Sequence, residues 1–145
     1  ERLADVTYRH ADVAAAISSG SFPINAMIVV PCSMGTLSAI ALSSSDNLLE
    51  RAADVTLKER RRLVVVPRDS PFHLGHLRLM EQITEMGGIV CPPMPAFYQK
   101  PRSIEELVDQ TVARLLDLLG IDISPEVAPR WTGPRASPGK ARRSP

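Results

Sequence analysis

The chain lacks most of the features that assign a sequence at sight. It has only two cysteines, Cys32 and Cys91, among 145 residues, which excludes a disulfide framework. Each ends an apolar, strand-like run, so both are expected as core thiols of a cytosolic protein. No apolar run approaches the ~20 residues that a membrane helix needs. The opening, ERLADVTYRHAD, is charged and has no apolar centre, so no secretory leader is expected in it. A formal net charge of +1 gives no basic excess for nucleic acid. The GxxxxGK[ST] and GxGxxG phosphate motifs are both missing, and no glycine stands two before Ser33, so there is no nucleophile elbow.

What is present suits one compact α/β domain: hydrophobic residues make up 44% of the chain. AMIVVPC (26–32), LVVVPR (63–68) and IVCPPMP (89–95) are continuous apolar runs, as strands of a parallel sheet require. Helices are expected between and around them. An alanine-rich one covers 11–22 and stops at Gly20, one at 33–45 is capped by Ser33, and a third covers 46–61. A fourth covers 69–88 and closes on a double glycine, and a last one at 103–120 opens on the Ser103/Glu106 capping box and ends at Gly120. Strands alternating with helices predict a parallel sheet covered on both faces. From residue 124 the chain turns proline- and arginine-rich, so residues 124–145 are expected to form a disordered tail, with Trp131 its one large apolar group.

In open parallel sheets ligands bind beyond the carboxyl ends of the strands. CSMGT, PRDSP and PPMPAFYQKPRS lie there and are expected to converge. A helix start offers unpaired N–H groups and partial positive charge, and small residues let a ligand come close. Ser33 and Thr36 add hydroxyls, so this loop suits an anionic or carbonyl-rich ligand; a plain helix cap with Gly35 for packing is the alternative. Arg68 suits a bidentate phosphate contact or a salt bridge to Asp69. Arg51 and Lys58 share a helix face, which solvation alone also explains, and Tyr98 either donates to an anion or packs. His73 and His76 stand three apart on an expected helix but have no evident third metal ligand.

The stretches ISSGSF, VVPCSMGTLSAIA, DNLLERAADVTLKERRRLVVVPRDSPFHLGHLRLM and PPMPAFYQKPRSIEELVDQTVARLLDLLGI together closely resemble the flavin prenyltransferases, the UbiX/Pad1 family, over residues 5–123. The resemblance implies a flavodoxin-like, Rossmann-type sheet with helices on both faces. It implies a homododecamer with sites between subunits, and an enzyme that joins dimethylallyl monophosphate to N5 and C6 of reduced FMN. The product, prenylated FMN, would serve a UbiD-type decarboxylase in ubiquinone biosynthesis or aromatic acid decarboxylation. By the same resemblance Ser33, Met34, Gly35 and Thr36 match the FMN loop, and Arg68 matches an arginine at the flavin and phosphate. Lys58, Tyr98 and Arg114 match residues holding the allylic phosphate, and Arg51 a further basic residue. Lys58, Arg68 and Arg114 would stabilise the departing phosphate, with Asp69 a candidate for proton transfer.

Two positions depart from the family pattern: Gly35 stands where lysine is common, and Asp69 where glutamate is common. The family's first βαβ unit, with its GASG-like loop, has no counterpart here. Residues 1–123 are therefore expected to be an N-terminally incomplete flavoprotein domain that by itself binds FMN poorly or not at all and is inactive, its full-length parent being the active enzyme. Competing readings are a related FMN-dependent cysteine decarboxylase-type flavoprotein and a non-enzymatic decarboxylase partner. The ERRRLVVVPRDSP and PAFYQKP pair favours the prenyltransferase.

Overall fold

A computed structural model describes residues 3–122. Strand β1 (Ala26–Cys32) leads into helices α1 (Met34–Ala41) and α2 (Leu48–Lys58). Strand β2 (Arg62–Pro67), helix α3 (Leu74–Glu85), strand β3 (Ile89–Val90) and helix α4 (Ile104–Leu119) follow. The strands form one parallel sheet in the order β1-β2-β3.

Alternation along β2 divides the core in two. Leu63 and Val65 join Val29, Leu37, Ile40, Ala53 and Ile83, so α1, α2 and α3 cover one face. Val64 and Val66 join Leu115, so α4 covers the other. Both faces of β2 are thus sealed, which is why its sequence is a continuous apolar run. Four helix starts are closed by side chains. Ser33 Oγ accepts from the Thr36 N–H at 3.1 Å, and Asn47 Oδ1 from Glu50 at 3.1 Å. His73 Nδ1 accepts from Gly75 at 3.0 Å, and Ser103 Oγ from Glu106 at 3.2 Å. The Glu106 carboxylate returns to the Arg102 N–H at 2.6 Å, one residue before the expected capping-box partner. Gly120 ends α4 with φ 78°, the left-handed conformation that favours glycine.

Between Val29 and Cys32 strand β1 carries one residue more than β2 needs, and the register shifts there. Pro31 sits in this irregularity. It has no N–H to donate, and among the described residues no strand lies on β1's other side. The Arg68 N–H donates to the Cys32 carbonyl at 3.4 Å, so the tips of β1 and β2 stay side by side.

Four expectations about elements are corrected. The 11–22 stretch is a series of turns with a single 3-10 turn, Ala16–Ser18, and Ser18 Oγ donates to the Ala15 carbonyl at 2.7 Å. Serine hydroxyls compete there for the carbonyls a helix would use. The expected 33–45 helix ends at Ala41, beyond which Ser43 takes φ 53°. The expected 69–88 helix starts only at Leu74, because Pro71 lies before it and His73 is its cap. The third strand stops after Val90, since Pro92, Pro93 and Pro95 offer no N–H groups to a ladder. The expected tail, residues 124–145 with Trp131, lies outside the described residues.

Candidate functional site

Of the three segments expected to converge, those after β2 and β3 reach one cavity, whereas the CSMGT segment after β1 does not line it. Val30 and Pro31 from β1, Val66 from β2, Arg68 just after it, and Pro93 and Pro95 after β3 line one cavity of about 450 Å³. Its remaining wall is α4, where Ile104, Val108 and Val112 recur every fourth residue, 75%, 53% and 46% exposed. The cavity is almost wholly apolar, with Arg68 its one charged lining residue. No ion pair forms between Arg68 and Asp69 or any other described carboxylate, and Asp69 Oδ1 instead accepts from the Ser70 N–H at 2.8 Å. The guanidinium is therefore available to a ligand.

A second cavity, of about 380 Å³, adjoins the first through Pro95 and Thr111. Tyr98, Gln99, Gln110 and Arg114 line it, and no carboxylate does. Gln99 Nε2 donates to Tyr98 Oη at 3.4 Å, which leaves the tyrosine's own proton for another acceptor. Thr111 Oγ1 donates to the Leu107 carbonyl at 3.0 Å within α4. The cavity is thus rich in donors and has one fixed cation, Arg114, an arrangement that suits an anion with several oxygens.

The start of α1 stands at the β1 tip but lines neither cavity. Ser33 Oγ caps Thr36 and lies 3.0 Å from Thr36 Oγ1. The Met34 and Gly35 N–H groups have no acceptor among the described residues, as expected in a first turn. A Cβ on Gly35 would meet only Ser33 Oγ, at 3.7 Å, so the approach to these donors is open. The Met34 side chain packs on the core, which leaves its backbone as the part free for a ligand. These features fit the polar and phosphate groups of FMN: unpaired N–H donors and an open approach.

Lys58 and Arg51 are not brought to these cavities within the chain. Lys58 ends α2 just before β2 begins, whereas Arg68 follows β2, so a strand length of about 20 Å separates them. Lys58 Nζ pairs with Glu59 Oε1 at 2.8 Å and lines a separate cavity with Ser43, Asp54 and Arg60. The hydrogen bond and charge of Lys58 hold the Glu59 carboxyl below its ordinary range, with a smaller contribution from Arg61. Arg51 pairs with Asp54 at 3.5 Å on the same helix.

His73 and His76 stack with ring centroids 3.7 Å apart, and Phe72 meets His76 edge-on. Cys32 is buried, and burial pushes its thiol up to about 11. Cys91 is half-buried and lines the second cavity. Sequence reading missed Gln99, Gln110 and Thr111. It also missed the apolar wall of α4, which the fourfold spacing of Ile104, Val108 and Val112 could have revealed.

The flavoprotein family model matches residues 3–116. The chain is 52% identical over 133 residues to the flavin prenyltransferase UbiX of Escherichia coli (strain K12), spanning 92% of this chain and 70% of that protein. It is 55% identical over 141 residues to a probable UbiX-like flavin prenyltransferase of Bacillus subtilis (strain 168), spanning 97% and 68%. Among solved structures, AnUbiX (PadA1) in complex with FMN and dimethylallyl pyrophosphate superposes with a TM-score of 0.86 at 52% identity, over 90% of this chain and 69% of that one. A dodecameric FMN-dependent Ubix-like decarboxylase from Escherichia coli O157:H7 superposes with a TM-score of 0.85 at 49% identity, over 90% and 70%. On this identity, along nearly its whole length, the chain belongs to the UbiX family of flavin prenyltransferases.

Proposed function

We propose that the protein transfers the dimethylallyl group of dimethylallyl monophosphate to reduced FMN, bonding it at N5 and C6 and releasing phosphate. The prenylated FMN then serves a UbiD-type decarboxylase. The observation that supports this reading is the paired cavity. An apolar chamber holding Arg68 adjoins a donor-rich chamber holding Tyr98 and Arg114, with Pro95 and Thr111 common to both. An allylic phosphate has the same two ends, an apolar five-carbon chain and a dianionic head.

Each residue has a role that its surroundings support. The Met34 and Gly35 N–H groups, with Ser33 and Thr36, hold the flavin at the start of α1. Bound in its reduced form, FMN supplies the nucleophilic ring positions; the protein orients it against the allylic carbon. Arg68, Tyr98 and Arg114 hold the phosphate and stabilise the charge it gains as the carbon–oxygen bond breaks. Asp69 stands next to Arg68 and holds or takes up a proton there.

Lys58 and Arg51 reach the phosphate from a neighbouring protomer. The separation of Lys58 from Arg68 within one chain favours a shared site, as does the exposure of Tyr98 (79%) and Ile104 (75%) around the cavities. A homododecamer like the solved relative would bring such surfaces together. No helix among the described residues is long and apolar enough to cross a membrane. The two cysteines are free thiols and suit a reducing compartment, so we place the protein in the cytoplasm.

The direct test mixes the full-length protein with reduced FMN and dimethylallyl monophosphate without air. The expected result is a flavin heavier by one five-carbon unit, with one phosphate released per flavin modified. Unmodified flavin with no phosphate released would defeat the proposal.

A further inference from the structure

Gln110 stands one helical turn before Arg114 on α4 and lines the same cavity as Tyr98. Its side-chain oxygen Oε1 is buried and has no hydrogen-bond partner. The side chain as a whole makes no hydrogen bond with any described residue. Buried amide oxygens are seldom left so, because the lost hydrogen bond is not replaced by water. With Oε1 shut away, the amide nitrogen is the polar end left to face the cavity. There it joins the Tyr98 proton and the Arg114 guanidinium, again with no carboxylate opposite. A donor held in place at the expense of its own carbonyl points to an acceptor that arrives with the ligand.

We infer that Gln110 is a further phosphate-binding residue, its Nε2 donating to an oxygen of the allylic phosphate beside Tyr98 and Arg114. This rests on the phosphate site proposed above, and deepens it. Gln110 acts on the head of the substrate and not on the flavin. It does so without adding charge, which fixes the phosphate's orientation while leaving the cavity's electrostatics to Arg114.

The test compares Gln110→Leu, Gln110→Glu and Arg114→Ala in the assembled protein. Three quantities are read: KM for dimethylallyl monophosphate, inhibition by inorganic phosphate, and the dissociation constant of FMN. Gln110→Leu is expected to raise KM about tenfold and weaken phosphate inhibition similarly, as loss of one hydrogen bond to a charged group implies. FMN affinity should stay within about twofold of the parent's. Gln110→Glu should raise KM further, since it removes the donor and adds a like charge. Gln110→Met, also apolar, repeats the Leu measurement if Leu packs poorly. Unchanged KM in the Leu and Met variants, with a raised KM in Arg114→Ala, overturns the role of Gln110 and keeps the site. Unchanged KM in all of them overturns both. A parallel loss of FMN and phosphate binding in the Gln110 variants makes the residue structural and also overturns the inference.

Discussion

Replacing Ser33 tests how one hydroxyl serves both a helix and a ligand. Ser33 Oγ accepts from the Thr36 N–H at 3.1 Å and lies 3.0 Å from Thr36 Oγ1. A hydroxyl has one proton and two lone pairs. If Thr36 Oγ1 donates, both lone pairs are used and the Ser33 proton remains for the flavin. Ser33→Ala loses the cap and the contact together. Loss of such a cap costs about 1 kcal/mol, and in a domain of this size Tm falls about 3 °C. Ser33→Gly loses the same hydroxyl, but glycine is a tolerable cap, so stability falls by only a few tenths of a kcal/mol. Flavin affinity should nevertheless drop in both variants alike, by about two- to tenfold for one hydrogen bond. The assays are thermal unfolding and quenching of FMN fluorescence. If flavin affinity tracks Tm, low in the alanine variant and near normal in the glycine one, Ser33 acts only through α1. No change in flavin affinity in either variant refutes the contact outright.

Four other perturbations test separate parts of the structure. Lys58→Ala and Arg114→Ala should each abolish most activity when alone, yet co-expressed chains should recover part of it. A shared site can then take its intact Lys58 and Arg114 from different protomers; no recovery in mixed assemblies counts against it. Cys32 should resist iodoacetamide at neutral pH while Cys91 reacts, as mass spectrometry of digests would show. Its raised value also has a stability consequence. The unfolded thiol ionises from about 9.0 while the folded one holds its proton to about 11, so this contribution is whole below 9.0 and is lost as pH climbs towards 11. Cys32→Ala should flatten that part of the stability–pH curve; an unchanged slope would show that the thiol is not its source. Leu63→Ala removes a fully buried side chain between β2 and α1–α3 and should cost about 3 kcal/mol in chemical unfolding. A loss under about 1 kcal/mol would show that the core closes around the gap.

Much of the fold could be read from the chain because β2 and its neighbours follow simple rules. A strand sealed on both faces must be apolar throughout, and LVVVP is. Ser33, Ser103 and Gly120 mark helix ends by chemistry that needs no tertiary context. The errors lie where local preferences compete. Alanines at 14–16 favour a helix, but the serines and Gly20 that follow draw the backbone into turns. Three prolines after Val90 shorten a strand whose apolar pattern continues past them.

The site was less legible than the fold, for a physical reason. Periodicity places a residue on a face, but a cavity is made by faces from distant parts of the chain. Nothing near Gln110 in sequence marks it, since only the packing of α4 beside the proline-rich loop after β3 sets it near Tyr98. Lys58 is the opposite case, a residue marked by its motif but set at the far end of β2 from Arg68. Among the described residues the ion-pair partner of Lys58 is its exposed neighbour Glu59. An exposed pair of this kind contributes little to stability. On the function proposed above, Lys58 would leave Glu59 for a phosphate in a neighbour's cavity at small cost, and assembly, not folding, would complete the site.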